Sequence, residues 1–283
     1  MVCMFRPLIV FAVLVAALGI ASAAHVVVSA PQQHTIDSTA PGEVYLGTIG
    51  PGQKVEVSIE RGTDELSKDA KTFGSEAIWD KLVVLPDSLP AGWRLRDSLT
   101  YETPLTAHVI AAQDAPDGDY SVRLQTVDEY EGVAPLTFTA RITVSRNVLN
   151  AQLSPTTITT GVGQPAIYWI TLTSLSVAND AFEISAEGLP YAWAYTKTVF
   201  VPRGSSKEVP YEIIGSAQKD FPVKFVVRSL SSPLIYRELD GRLITVSSLL
   251  QDAKAAALGV PLFPSSEQAI YSLIGFLANV LWK

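Results

Sequence analysis

Two stretches of the chain decide its fold: WDKLVVLPDSLPAGW at residues 79–93 and NDAFEISAEGLPYAW at residues 179–193. Each begins with an acidic turn, continues as a short strand and ends in a Leu-Pro-x-x-Trp corner. Proline fixes its φ angle and cannot donate a hydrogen bond to a sheet ladder, so it ends the strand before it. The two stretches therefore predict a β-structural unit that occurs twice.

The repeat continues on both sides of the corner. Downstream, DGDYSVRLQTV (117–127) matches KDFPVKFVVRS (219–229), with Tyr120 and Phe221 in equivalent places. Upstream, GTIGPGQKVEVSIER pairs with TTGVGQPAIYWITLT. Alternating runs of six to eight residues, separated by Gly, Pro and Asp, are typical of antiparallel sandwiches.

The first copy carries extra residues near 62–78 that the second copy lacks. The sequence TDELSKDAKTFGSEAIWDK around this insert is the one stretch between residues 25 and 245 that could hold one or two helical turns. Elsewhere between residues 25 and 245 helical periodicity is absent.

The predicted fold class is all-β: two tandem immunoglobulin-like β-sandwiches plus a short C-terminal helical segment. The predicted parts are a signal peptide at 1–24, a sandwich with an insert at 25–147, a second sandwich at 148–246, and a two-helix tail at 247–283.

The second copy resembles a known family. Its strand and GLPYAW corner, followed by PRGSSKEVPYEI and DFPVKFVVRS, look like the NEW3-type immunoglobulin-like modules of exported archaeal and bacterial proteins. The resemblance is best over residues 148–246, and in the first copy it is limited to residues around 89–127. It implies an immunoglobulin-like fold and an exported location, and it transfers no catalytic residues.

The N-terminus has the pattern of a secretory signal. Arg6 precedes an apolar run, and small residues follow it, which predicts cleavage after Ala23 or Ala24. The only cysteine, Cys3, lies in the predicted signal, so the mature chain is expected to have no disulfide. We therefore expect an extracellular or cell-surface protein, with an uncleaved N-terminal anchor as the alternative.

The overall charge argues against one class of partner. The formal net charge is -7, and no stretch concentrates basic residues, so a nucleic-acid partner is not expected. Hydrophobic residues make up 48% of the chain and charged residues 17%, which indicates a folded protein.

Three histidines suggest one metal hypothesis. If cleavage follows Ala24, His25 becomes the N-terminal residue, and its amine and ring nitrogen can bind copper with a second histidine, His34 or His108. Their spacing matches no known motif, so the sequence favours an ordinary exposed His25.

Loop carboxylates suggest another metal hypothesis. Asp114, Asp117 and Asp119 in DAPDGDY offer oxygen ligands for Ca²⁺. Asp-Gly is also ordinary turn chemistry, which the sequence favours here. No cofactor is predicted.

The C-terminal stretch SEQAIYSLIGFLANVLWK (266–283) predicts a capped helix with a narrow polar stripe and a broad apolar face. Burying its large aliphatic side chains is worth on the order of 10 kcal/mol, so the helix needs an apolar surface. A shallow membrane anchor, a helix that binds other subunits, and a cover for a sandwich all remain open. The residues expected to make these contacts are Ile270, Leu273, Ile274, Leu277, Val280, Leu281 and Trp282.

The sequence predicts a non-enzymatic structural or adhesive protein of the cell envelope, tethered by its C-terminal helix to a membrane or a protein partner. One alternative is a carbohydrate-binding module, which requires a row of exposed aromatic residues on one sheet face. Another is a homo-oligomeric filament whose N-terminal strand HVVVSA completes a neighbour's sheet. The N-terminal copper protein is the most remote alternative.

Overall fold

The computed structural model describes residues 24–37 and 42–247. The predicted signal peptide, except Ala24, and the predicted helical tail after Ser247 lie outside these ranges. No helix within them has the length and apolar character needed to cross a membrane. Their regular structure consists of β-strands and two short 3-10 helices, Pro86–Ser88 and Tyr191–Trp193, which supports the all-β prediction.

The strands, in chain order, are β1 (His25–Ala30), β2 (His34–Asp37), β3 (Gly42–Ile49), β4 (Lys54–Ile59), β5 (Gly62–Leu66), β6 (Glu76–Ile78), β7 (Lys81–Val84), β8 (Arg94–Arg96), β9 (Leu105–Ile110), β10 (Gly118–Val127), β11 (Thr137–Val144), β12 (Leu149–Ser154), β13 (Thr157–Gly161), β14 (Pro165–Ser174), β15 (Asp180–Glu187), β16 (Lys197–Val201), β17 (Ser206–Ile214), β18 (Asp220–Ser229) and β19 (Tyr236–Val246).

The described chain divides into two compact units. The first unit comprises residues up to 46 together with 55–110 and 119–142. The second comprises residues from 143 onward and two earlier segments, 47–54 and 111–118. The second unit therefore contains residues 47–54 and 111–118, which lie outside the predicted second sandwich at 148–246.

The first unit is built on two sheets, with strand orders β2-β1-β4-β9-β8 and β3-β11-β10-β7. Alternate residues of the strands are buried, as the period-two pattern predicts. In β4, Val55, Val57 and Ile59 are fully buried, and in β10 Val122 and Leu124 are fully buried.

The second unit is a β-sandwich of a three-stranded sheet, β12-β14-β17, and a five-stranded sheet, β13-β19-β18-β15-β16. The chain passes from one sheet to the other between β12, which is antiparallel to β14, and β13, which is parallel to β19. A first strand shared in this way between two sheets is typical of immunoglobulin-like sandwiches.

Both sheets of the second unit contribute to one hydrophobic core. Its largest buried side chains include Tyr168, Tyr211, Phe182 and Phe225. The Phe225 ring lies 4.9 Å from the Tyr168 ring and 5.3 Å from the Tyr211 ring, measured between centroids. Such tilted and edge-on arrangements are favourable for aromatic pairs.

The sheet orders confirm the repeat in the sequence. The neighbours β1-β4-β9 correspond in order to β12-β14-β17, and β3-β11-β10-β7 correspond to β13-β19-β18-β15. The copies differ after the Trp corner, because β8 pairs with β9 whereas β16 pairs with β15.

The insert of the first copy is a β-hairpin, so the prediction of helical turns was wrong. Strands β5 and β6 pair with each other, and Gly74, with φ of 83°, lies in their connection. Distant partners hold the hairpin: the Lys68 amide donates to the Glu131 carbonyl, and the Ile78 amide donates to the Glu131 carboxylate. These long-range bonds override the local preference for helix.

The N-terminal strand HVVVSA is an internal part of the first unit. As β1 it lies between β2 and β4, and Val26 and Val28 are fully buried. In this arrangement the strand completes its own sheet, so the structure does not provide the free donor strand that the filament hypothesis required.

Buried tyrosines make the second unit sensitive to alkaline pH. The Tyr168 hydroxyl donates to the Arg242 carbonyl (2.7 Å), and burial raises the pKa of Tyr168 to about 12. An unfolded tyrosine ionises near pH 10, so the unfolded chain loses this proton first. The stabilising contribution is therefore complete below about pH 10 and is lost between about pH 10 and pH 12.

We expect Tyr168→Phe to reduce the dependence of the free energy of unfolding on pH above about pH 10, by up to about 1.4 kcal/mol per pH unit. The variant should also lose about 1 kcal/mol at neutral pH, because the hydrogen bond to Arg242 disappears. Urea unfolding at several pH values measures both effects. If the free energy of unfolding of the variant and of the natural chain falls equally with pH above about pH 10, Tyr168 is not the source of the alkaline sensitivity.

Candidate functional site

The two Trp corners share one backbone hydrogen bond, although residues 191–193 form a 3-10 helix and residues 91–92 form a turn. The Trp93 amide donates to the Pro90 carbonyl (3.2 Å), and the Trp193 amide donates to the Pro190 carbonyl (2.9 Å). Each turn directs its indole back over its own unit.

The two indoles pack on the aromatic residues that occupy equivalent places in the repeat. The ring centroids of Trp93 and Tyr120 lie 5.1 Å apart, and those of Trp193 and Phe221 lie 4.8 Å apart. Trp93 is buried and Trp193 is half-buried against the core. Both corners therefore have the packing role that the sequence favoured, and little of Trp93 is accessible to a sugar.

A close backbone approach fixes the start of the second corner. Gly188 follows β15 with φ of 85°, a conformation that favours glycine. A Cβ atom at this position would lie 2.4 Å from the Pro222 carbonyl oxygen. Glycine therefore allows the segment after it to cross closely over β18 and to present residues 191–195 at the edge of the sandwich.

An open pocket lies beside this corner. Its volume is about 330 Å³, and it is lined by Ala192, Trp193, Tyr195, Glu212 and Ile214. We call it the corner pocket. Next to it in sequence, the Tyr191 side chain is 97% exposed, so the corner presents aromatic surface to solvent as well as to the core.

Hydrogen bonds hold Tyr195 rigidly against β17. Its ring stacks on Tyr211 with centroids 4.4 Å apart, and its amide and carbonyl both bond to the Tyr211 hydroxyl. The Glu212 amide donates to the Tyr195 hydroxyl (3.2 Å). Burial raises the pKa of Tyr211, which keeps its hydroxyl neutral and able to donate.

Two further features protect the free edge of β17. The Lys197 ammonium donates to the Pro210 carbonyl (2.8 Å), and Pro210 has no amide hydrogen to offer a further strand. Proline and lysine are common means of blocking an edge strand. This edge therefore does not offer a template for β-sheet extension.

A second apolar area lies on the outer face of the sheet β12-β14-β17. Trp169 and Ile167 are each 42% exposed, and Pro210, also exposed, lies directly opposite Trp169 across the β14–β17 pair. We call these three residues the outer-face patch. Polar residues border it, with Ser154 opposite Trp169 on one side and Glu212 opposite Ile167 on the other.

The carbohydrate hypothesis required a row of aromatic residues on one face. The outer-face patch contains one aromatic residue, Trp169, and Tyr191 and Tyr195 belong to the corner rather than to a strand. The described residues of this sheet face therefore do not form that row.

A buried polar network lies inside the second unit. The Asp180 carboxylate accepts hydrogen bonds from Gln53 Nε2 (2.6 Å), Ser229 Oγ (2.7 Å) and Ser231 Oγ (2.8 Å). Gln53 Oε1 accepts in turn from the Ser176 hydroxyl (2.6 Å). Because its buried groups are satisfied, this network has the character of a structural element.

The candidate copper ligands have different surroundings. His25 Nδ1 lies 3.2 Å from the Thr63 carbonyl oxygen, His108 Nδ1 lies 3.8 Å from a Glu56 carboxylate oxygen, and His34 is exposed on β2. In the described ranges, no group of three or more His, Cys, Asp or Glu residues is arranged to hold a metal ion.

The candidate calcium ligands do not form a cage either. Asp114, Asp117 and Asp119 are exposed, and Asp117 accepts a hydrogen bond from the Arg146 amide (3.1 Å). This bond links the loop to a residue 29 positions later in the chain. The predicted contacts of the C-terminal helix, from Ile270 to Trp282, lie outside the described residues.

Sequence reasoning did not identify the corner pocket, the outer-face patch or the Asp180 network. One signal for the patch was present, because AIYWITLT has large apolar residues at both odd and even positions. A strand of that kind in a two-layer sandwich must expose one apolar face. Nothing local identified the network, since Gln53 and Asp180 are far apart in the chain.

No protein-family model and no curated protein sequence matches the chain. Among solved structures, the adhesin InvE of Yersinia pseudotuberculosis is 11% identical, with 72% of this chain and 57% of that chain covered and a TM-score of 0.27. A chimeric titin Z1Z2 is 9% identical; the match covers 80% of this chain and 99% of the titin chain, with a TM-score of 0.34. A PapD-like domain of human CEP192 is 12% identical; the match covers 35% of this chain and 84% of the CEP192 chain, with a TM-score of 0.25. Likeness at this level carries no functional argument.

Proposed function

We propose that the chain is an exported, non-enzymatic structural or adhesive protein of the cell envelope, and that its second unit makes contacts through the outer-face patch. The observation that carries this proposal is the exposure of Trp169, Ile167 and Pro210 on a sheet face that no other described strand covers. Exposed apolar patches with a polar border are characteristic of interaction surfaces.

The sequence supplies the support for location. The signal-like N-terminus favours export, and the apolar C-terminal stretch favours tethering to a membrane or an assembly. A sandwich that depends on core packing rather than disulfides is compatible with that setting.

Adhesion by the outer-face patch can be tested with beads coated with the purified full-length chain. We expect the beads to bind cells of the source organism or one another, and Trp169→Ser to weaken that binding about thirtyfold. This corresponds to loss of a central aromatic contact worth about 2 kcal/mol. Tyr236→Ser is the matched control, because Tyr236 is 48% exposed on the other sheet of the same unit.

Two results would contradict the proposal. One is that coated beads bind neither cells nor each other, and the other is that Trp169→Ser and Tyr236→Ser have equal effects. Clustering of beads alone would identify a second copy as the partner. Loss of binding after removal of surface glycans would identify a carbohydrate partner.

Export has a separate test. Fractionation of cells that make the chain should recover it outside the cytoplasm, with an N-terminus at Ala24 or His25 by mass spectrometry. Recovery of the uncleaved chain in the cytoplasm would contradict export without affecting the adhesion measurement.

A further inference from the structure

We propose that the corner pocket binds a segment of the same chain, residues 260–264, with the sequence Val-Pro-Leu-Phe-Pro. This intramolecular docking would place the apolar stretch 268–282 close to the second unit. The corner pocket adjoins the outer-face patch at Glu212 but is lined by other residues, and the inference does not depend on where the protein resides.

The corner pocket has preformed aromatic and aliphatic walls beside one charged residue, Glu212. Its aromatic wall is fixed, because Trp193 packs on Phe221 and Tyr195 stacks on Tyr211. Ile214, which is 48% exposed, supplies an aliphatic wall. A volume of about 330 Å³ suits a few side chains rather than the whole face of a helix.

The chemistry of residues 260–264 complements these walls. Pro261 and Pro264 bracket Leu262 and Phe263 in a P-x-x-P arrangement, and proline-rich segments of this kind bind aromatic-lined grooves. Such a segment loses little backbone freedom on binding because proline is already restricted. Residues 255–266 carry no charge, so they do not repel Glu212 at the pocket wall.

The chain leaves the described structure next to this pocket. The Val162 amide donates to the Val246 carbonyl (3.1 Å), and the Gly163 amide donates to the Gly215 carbonyl (2.8 Å). Gly215 follows the wall residue Ile214. A Cβ atom at Gly215 would lie 2.6 Å from the Thr245 side chain and 3.3 Å from the Trp193 ring. The end of β19 therefore lies close to Gly215, the residue that follows the pocket wall residue Ile214.

The connection is long enough for docking. About 13 residues join Ser247 to Val260, and they span at most about 45 Å when fully extended or about 20 Å as a helix. Either length allows a return to a pocket adjacent to the exit point. A tether of this length also gives an effective concentration in the millimolar range, so a weak intrinsic affinity is sufficient.

Photo-crosslinking in the full-length chain tests the inference. Phe263 is replaced by the photoreactive residue benzoylphenylalanine, the chain is irradiated, and crosslinked peptides are identified by mass spectrometry. We expect an intramolecular crosslink to residues 191–195 or 212–214, with a yield that is independent of protein concentration.

Matched variants make the result specific. Ile214→Glu should reduce the crosslink at least about fivefold, because it places a charge in the apolar wall. Tyr236→Glu should leave the yield unchanged, since Tyr236 is 48% exposed, as Ile214 is, but lies on the other sheet and outside the pocket. Ala192→Glu, on the exposed corner, is a second pocket variant that does not alter a strand.

Three outcomes would overturn the inference: no crosslink to the pocket, a crosslink only between copies of the chain, or a yield that the two pocket variants leave unchanged. Failure of the bead-adhesion experiment would not affect this one, because adhesion is tested at Trp169.

Discussion

We expect Asp180→Ala to lower the free energy of unfolding of the second unit by about 4 kcal/mol. The Asp180 side chain is only 5% exposed. Its carboxylate accepts four hydrogen bonds, from Gln53 Nε2 (2.6 Å), Ser229 Oγ (2.7 Å), Ser231 Oγ (2.8 Å) and the Ala181 amide (2.8 Å).

The magnitude follows from what the truncation leaves behind. A buried donor without its acceptor costs about 1 kcal/mol or more, and alanine removes the acceptor of all four donors. These four partners are neutral, so the variant does not also leave an unpaired cation. Asp180→Asn keeps the shape but replaces one accepting oxygen with an NH₂ group, and we expect about half the loss.

Urea unfolding of the full-length chain measures this loss. Hydrogen exchange of the amides in β15 and β18 assigns the loss to the second unit. Asp220→Ala is the control, because Asp220 is half-exposed and paired with Arg242. Arg242 lowers the pKa of Asp220, but solvent screens this pair, so we expect little change. If the two alanine variants unfold alike, the Asp180 network does not stabilise the unit.

The second large effect is expected in the aromatic core. Phe225→Ala should lower the free energy of unfolding of the second unit by about 4 kcal/mol, because it removes a fully buried ring and leaves a cavity. The variant also removes the ring contacts with Tyr168 and Tyr211. A double-mutant cycle with Tyr211→Leu should give a coupling of about 1 kcal/mol.

Phe200 provides the matched control for this prediction. It has the same side chain in the same sheet, on β16, but it is 53% exposed. Phe200→Ala should change the free energy of unfolding by less than about 1 kcal/mol, as measured by the same urea titration. Equal losses for the two variants would show that Phe225 is not the centre of the core.

The repeat was the most informative feature of the sequence. It correctly related Trp93 to Trp193 and Tyr120 to Phe221, and the two copies have corresponding sheet orders. These features were predictable because alternation, turn residues and proline breaks depend only on neighbouring residues. The position of the insert was predictable for the same reason.

The candidate sites depended on contacts that local patterns do not encode. The lining of the corner pocket comes from two separate segments, which meet when the corner folds along the edge of β17: Ala192, Trp193 and Tyr195 from the corner, and Glu212 and Ile214 from the strand. The Asp180 network needs Gln53, which lies 127 residues earlier in the chain. A single sequence does not specify which distant polar residue satisfies a buried carboxylate.

The sequence by itself determined an all-β chain with a repeated unit, an insert in the first copy and packed Trp corners, because each of these follows from the order of nearby residues. Only the tertiary structure decided that the insert is a hairpin, that HVVVSA lies inside its own sheet, and that Trp169 and Tyr195 present aromatic surface to solvent. Strand pairing, burial and exposure depend on partners far away in the chain, and folding alone brings those partners into contact.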